Sequence, residues 1–352
     1  MLLSLTACAR VENKENQLDG DSGNAVNETQ QIVESRPTIQ EEIDAVESEM
    51  QERKSVEEIR EMEVVKNSYS TLNVPTDVEK IEDIYFIVDC YNNQVIYSAD
   101  LTAPLTEWNV MCDIMNKGHT IASDGTSYLI DDTENNRVLV YEKREGKFEL
   151  IQILNHVGER PHYVRYDQGT DAFYVLSSMT GKIYVLKEKE NESDIPEMYV
   201  EDIQRFDQIS NTYCRSFTID GDRILLPASN GLIIEASFPA FQEIATYQAP
   251  NEIAGLAQIY EADQQYYLTV STNGEGNQDY ATLVCTDSLQ DLSEGKYSDL
   301  YDTLEPDRPG TGTPYNISSF GGQYYLMEHR HGHGLFQFDI EDQRIQNVEI
   351  IH

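Results

Sequence analysis

Five of the seven histidines fall where imidazole chemistry could be assembled. The segment Glu328-His329-Arg330-His331-Gly332-His333-Gly334 alternates histidine with other residues, and an extended backbone would turn His329, His331 and His333 to one side. Neutral imidazole nitrogen is a ligand for zinc and other divalent metals. Set beside His119 and His162, the run could therefore hold a catalytic metal. Arg215 would then steady negative charge on a substrate, and Tyr315 would serve as acid or base. The same residues have a plainer use. Histidine is more often a hydrogen-bonding group than a ligand, so His119, His162, Tyr163, Arg215, Tyr315, Glu328, His329 and Arg330 can equally bind a ligand without reacting with it. Two other chemistries lack their signatures. No Gly-x-Ser-x-Gly elbow occurs, and the turn at 273–279 (NGEGNQD) lacks the spaced acids and terminal glutamate of an EF-hand.

These residues are scattered from position 119 to position 333, so a fold must gather them. A repeat shows how. Residues 85–98 read YFIVDCYNNQVIYS and residues 128–141 read YLIDDTENNRVLVY, 43 positions later. Each is an apolar strand ending in acid (Asp89; Asp131 and Asp132), a turn with paired asparagines, and a second apolar strand. An all-β unit repeating at about that period is a propeller blade. First strands are expected near His119, His162, Arg215, Ile253 and Tyr315, with a further unit around 75–113, which makes six. First strands line a propeller's channel. Aligned in this way, His119, His162, Arg215 and Tyr315 would ring one mouth, where ligands are bound because several blades converge. Tyr163 and Tyr213 are expected near the same rim.

The phrases DCYNNQVIYS and DDTENNRVLVYE resemble the NHL repeat family, whose strand pair is joined by an Asp-x-x-Asn-x-Arg-Val turn. The match covers two units as motif. In SSMTGKIYVL (177–186) and PASNGLIIEA (227–236) only the strand–turn–strand outline persists. The resemblance implies an all-β, six-bladed NHL-like propeller; seven blades or a YVTN-type propeller fit the same spacing. NHL-like peptidyl-hydroxyglycine lyases carry a histidine-ligated zinc on this face, so the resemblance also admits a metal-dependent lyase or hydrolase. The other catalytic residues of those lyases find no match. Gluconolactonase-type propellers use calcium ringed by carboxylates and amides, whereas the strand starts here offer histidine and arginine.

Acidic residues outnumber basic ones 63 to 25, for a net charge of −38. Nucleic acid is thereby excluded as a partner, because phosphate binding relies on basic contacts and released counterions. Adsorption to anionic lipid is equally disfavoured. Leu5-Thr6-Ala7-Cys8 resembles the lipobox of bacterial lipoproteins, which implies cleavage before Cys8, its lipidation, and an extracytoplasmic, membrane-anchored protein. Residues 9–71 are acidic and almost free of aromatics, as a tether would be, with helical spacing over 39–65. The propeller would occupy 72–352 as a monomer, and bind a glycan, peptide or partner protein at its channel face. Cys90, Cys112, Cys214 and Cys285 show no CxxC spacing, so neither a zinc ribbon nor a disulfide framework is expected.

Overall fold

Among the described residues, short β-branched and aromatic runs between glycine, asparagine and aspartate turns form twenty-four strands, β1–β24, in six four-stranded antiparallel sheets. The computed structural model describes residues 36–48, 63–189, 196–272, 279–304, 312–330, 334–341 and 344–352. All elements below belong to one unit, Thr38–His352. Each sheet is a contiguous piece of chain: blade 1 spans 75–112, blade 2 121–155, blade 3 161–205, blade 4 218–248, blade 5 255–299 and blade 6 314–350. The first strands are β1 (Pro75–Ile81), β5 (Ile121–Ser123), β9 (Pro161–Asp167), β13 (Thr218–Asp220), β17 (Gly255–Ala262) and β21 (Pro314–Phe320). The fold is a six-bladed β-propeller.

Hydrogen bonds between successive first strands close the ring. Thr76 Oγ1 donates to the His119 carbonyl at 2.8 Å, and the Val164 amide donates to Thr120 Oγ1 at 2.8 Å. His162 Nδ1 meets the Arg215 carbonyl at 3.1 Å, Ser216 Oγ donates to Ala257 at 2.7 Å, and the Ile317 amide donates to Gln258 Oε1 at 2.6 Å. Asn316 Nδ2 then reaches Asp77 Oδ1 at 2.6 Å, joining the last blade to the first. The core is divided the same way, into six apolar clusters, one at each blade interface. The closing cluster packs Ile87 and Trp108 of blade 1 against Tyr325, Met327 and Leu335 of blade 6. Among the described residues, closure thus rests on side-chain packing and the central hydrogen-bond ring, with no strand shared between the chain ends.

The repeated phrase is an interblade staple. Asn93 and Asn136 both sit in the left-handed region (φ 55° and 53°), which asparagine tolerates better than other side chains. Their carboxamides accept the backbone amides of Lys117 (3.0 Å) and Arg160 (2.8 Å) in the next blade. At the head of each phrase, Asp89 accepts the Asn73 amide at 2.7 Å and Asp132 the Asn116 amide at 2.6 Å. Burial of these aspartates is stabilised because every contact is a charge-assisted hydrogen bond.

Among the described residues, the helical spacing over 39–65 gives a helix, α1, at Ile39–Glu47; Glu63–Val65 are not helical, and 49–62 lie outside the described residues. A capping box between Thr38 and Glu41 starts it. Ile43 and Val46 bury among blades 2 and 3, and Glu42 pairs with Lys182 (2.7 Å) and Arg205 (3.1 Å). Part of the expected tether is therefore docked on the propeller. Cys8 lies outside the described residues. Among those described, no helix is long and apolar enough to cross a membrane, and all four cysteines are buried and free.

Candidate functional site

All six first strands run in the same sense along the channel, so their starts gather at one mouth, here the upper, and their ends at the other. His119 is set by its neighbours in blade 2. Asp131 accepts the His119 amide at 2.9 Å and the Thr120 amide at 2.7 Å. Burial pushes the Asp131 carboxyl up to about 7 even though four hydrogen bonds favour its charged form. From blade 3, the ring of His162 stacks on that of His119, with centroids 3.8 Å apart and planes 17° from parallel. Tyr315 of blade 6 completes the floor, its hydroxyl 3.1 Å from His119 Nδ1 and 3.2 Å from His162 Nε2.

Proton positions follow from one carbonyl. The Arg215 carbonyl can only accept, so His162 Nδ1 carries the proton and its Nε2 is a bare acceptor. Tyr315 must then donate its O–H to His162 Nε2, which leaves its oxygen to accept from His119 Nδ1. This chain holds only if both imidazoles are neutral. Burial holds His119 well below its usual range, helped by repulsion from His162 and His329, and it pushes His162 down to about 3, with Arg215 adding to the effect. Tyr315 is displaced upward by burial, so it keeps its proton.

Above this floor lies a more open rim. Tyr213 meets His162 edge-on at 5.3 Å, and the guanidinium of Arg215 lies 4.6 Å from the Tyr213 ring centre while donating to the Leu256 carbonyl at 3.3 Å. His329 stacks on Tyr315 at 5.3 Å and meets exposed Tyr91 edge-on at 5.5 Å. Burial and the Arg215 charge push His329 down to about 4, and its Nε2 is buried with no hydrogen-bond partner. Arg160 approaches the same Tyr213 ring at 5.6 Å and pairs with Glu134 at 3.0 Å. Arg215 has no carboxylate within ion-pairing distance among the described residues.

The structure thus brings together His119, His162, Arg215, Tyr315 and His329. His331 and His333 lie outside the described residues. Glu328 and Arg330 face each other at 3.4 Å, and Arg330 covers Phe336, so they form an internal ion pair beneath the rim. Tyr163 is displaced from the expected rim. It follows His162 in a strand and points the other way, against Phe217 and Arg165 in the lower half of the channel. The zinc geometry expected of the histidines is not met by the described set. Lone pairs of two stacked, near-parallel imidazoles lie in separate parallel planes and do not converge on one ion at about 2 Å. No group of three histidine, cysteine or acidic side chains among the described residues has metal-binding geometry.

Sequence reasoning missed Tyr91 and Arg160 at the rim, because each belongs to a turn whose place is set by the Asn staple. It also missed a plug lower down. Asp77, wholly buried, lies 3.5 Å from the Arg165 guanidinium, and Glu79 lies 3.3 Å from it. Charges inside otherwise apolar first strands (TDVEK, HYVRY) were the available signal.

No protein-family model matches the chain, and no curated protein matches its sequence. Solved structures do match its shape. A protein described as a candidate 6-phosphogluconolactonase from Bacteroides fragilis superimposes with a TM-score of 0.54 at 12% identity, over 76% of this chain and 81% of that one. A catalytically inactive histidine-to-alanine variant of virginiamycin B lyase from Staphylococcus aureus, with quinupristin, gives 0.52 at 12% identity, over 81% and 86%. A streptogramin B lyase gives 0.51 at 12% identity, over 81% and 85%. The likeness is one of fold. At such identities it shows a propeller shared with lactonases and lyases, and the reading of the site rests on its own residues.

Proposed function

We propose that this protein is a binding module whose upper channel mouth takes the carboxylate of a glycan, peptide or partner-protein segment. The observation that carries this is Arg215. In a chain of net charge −38 it is a cation without a carboxylate partner among the described residues, braced on Tyr213 at the mouth of a neutral polar floor. A guanidinium offers a planar fork of donors suited to a carboxylate. His329, with a buried and unpartnered ring nitrogen beside it, supplies a further hydrogen bond, and the Tyr213 and Tyr91 rings supply apolar area. His119, His162 and Tyr315 form the base, held by hydrogen bonds to one another and to the Arg215 carbonyl.

Calorimetry on paired probes tests this: an acetylated dipeptide with free and with amidated C-terminus, and glucuronic acid beside its methyl ester. The free acids should bind at least tenfold more tightly than the neutral forms, and Arg215→Gln should erase that preference without lowering the melting temperature. Equal affinity for acid and neutral forms would sink the reading. The same proposal holds the module outside the cytoplasm on a lipid at Cys8. Mass spectrometry of membrane fractions should find that cysteine acylated, and a soluble protein retaining residues 1–7 would refute it.

A further inference from the structure

The lower mouth carries a different constellation. A cavity of about 320 Å³ opens there, lined by Glu79 of blade 1, Arg165 of blade 3, Phe217 and Thr218 of blade 4, Tyr260 of blade 5 and Ser319 of blade 6. A second cavity of about 410 Å³, between blades 1, 2 and 3, shares Glu79 and Arg165 with it. The Glu79–Arg165 pair therefore stands at the centre of the mouth, and every blade contributes to its wall.

Three features describe the ligand. The first is size: 320 Å³ is at the lower end of small-molecule sites, room for one ring and its substituents. The second is charge balance. Arg165 is matched by Asp77 and Glu79, and burial, opposed by Arg165, pushes the Glu79 carboxyl up to about 7. Asp167 also lines the cavity, so an anion would face three carboxylates, while the Arg165 guanidinium opposes a cation beside Glu79; a neutral polar group can hydrogen-bond both members of the pair. The third is the form of the wall. Glu79 and Arg165 present an acceptor and a donor side by side at 3.3 Å, close enough together for two neighbouring hydroxyls of one ring to meet both. The Ser319 and Thr218 oxygens stand nearby, and half-buried Tyr260, its hydroxyl donating to Ser319 Oγ at 2.7 Å, supplies apolar ring surface.

We propose that the lower mouth is a second, separate binding site and that it takes a neutral sugar ring, a hexose or a terminal hexosyl unit. Its paired charges hydrogen-bond vicinal hydroxyls, and its tyrosine packs on the C–H face of the ring. The plug of Asp77, Asn316, Gln258 and Tyr163 separates it from the upper mouth, since Asn316 holds Asp77 and Gln258 Nε2 donates to the Tyr163 hydroxyl at 3.3 Å across the channel.

Saturation-transfer NMR on the full chain with D-glucose, D-galactose and N-acetyl-D-glucosamine tests the assignment. At least one should bind saturably, and Glu79→Ala and Tyr260→Ala should each weaken it tenfold or more. If either variant fails to fold, Ser319→Trp, at the exposed lip, should block the cavity to the same extent. Arg215→Gln should leave sugar binding unchanged, so a failure of the upper-mouth reading is seen separately. The assignment is overturned if no neutral sugar binds saturably, if the lower-mouth variants bind as the wild type does, or if agmatine or glucuronate displaces the sugar at equal concentration.

Discussion

The two mouths of one channel are built from the same six strands, a few residues apart, yet they solve opposite electrostatic problems. At the upper mouth, charge has been removed from the floor: two buried imidazoles and a tyrosine share protons as neutral groups, and above them Arg160 pairs with Glu134 while Arg215 has no carboxylate within ion-pairing distance among the described residues. At the lower mouth, charge has been retained and paired, with Arg165 between two carboxylates. The difference teaches that burial can be met by neutralising a group or by supplying its partner. Neutralisation leaves a site selective for charge outside it, and pairing leaves a site selective for neutral polar shape.

The strongest way to break the comparison is at the plug. Arg165→Ala leaves Asp77 buried and uncompensated, so unfolding free energy should fall by about 3–5 kcal/mol, read by urea denaturation. A change under ~1 kcal/mol would mean the triad is not a paired-charge device. Next comes Tyr315→Phe, which strands the His119 Nδ1 proton and the His162 Nε2 lone pair. It should destabilise by about 1–3 kcal/mol while leaving the lower mouth's sugar binding intact.

The smallest and most diagnostic effect is pH dependence. His162 at about 3 and His329 at about 4 lie below the unfolded value near 6.5, so the stability they contribute is full above 6.5 and lost as pH falls toward 4. Glu79 and Asp131, both near 7, have the opposite sign: their contribution is full below the ordinary carboxylate range and lost as pH rises through 7. The upper-mouth histidines therefore oppose the raised carboxyls of Asp131 and Glu79 in a bulk titration, and a variant must separate them. His162→Gln should remove about 1.4 kcal/mol of acid-induced loss per pH unit between 6.5 and 4. An unchanged slope would show that His162 is already charged in the folded protein.

Legibility followed the range of the interactions. The Asp–turn–Asn-Asn phrase was readable because its geometry is local: an aspartate bonded by the asparagine three residues on and followed at four by a left-handed asparagine, repeated with the same outcome. The gathering of His119, His162 and Tyr315 was readable one step further, because they share a register in strands of one kind. Tyr163 was misplaced because one residue of strand reverses the side chain's direction. The docking of α1 was not legible because it depends on contacts with blades 2 and 3, in which Glu42 meets Lys182 and Arg205 more than 130 positions away.

The amino-acid sequence by itself determined the unit of architecture, its number and the strand starts that carry polar side chains, since strand periodicity and turn chemistry are properties of neighbours in the chain. Only the tertiary structure decided what those side chains are. Face-to-face stacking of two histidines, the proton order set by the Arg215 carbonyl, and the meeting of Arg165 with Asp77 and Glu79 all arise from ring closure. Ring closure brings together groups as far apart as Asn316 and Asp77, 239 positions, and it removes the water that would otherwise have kept each of them independent.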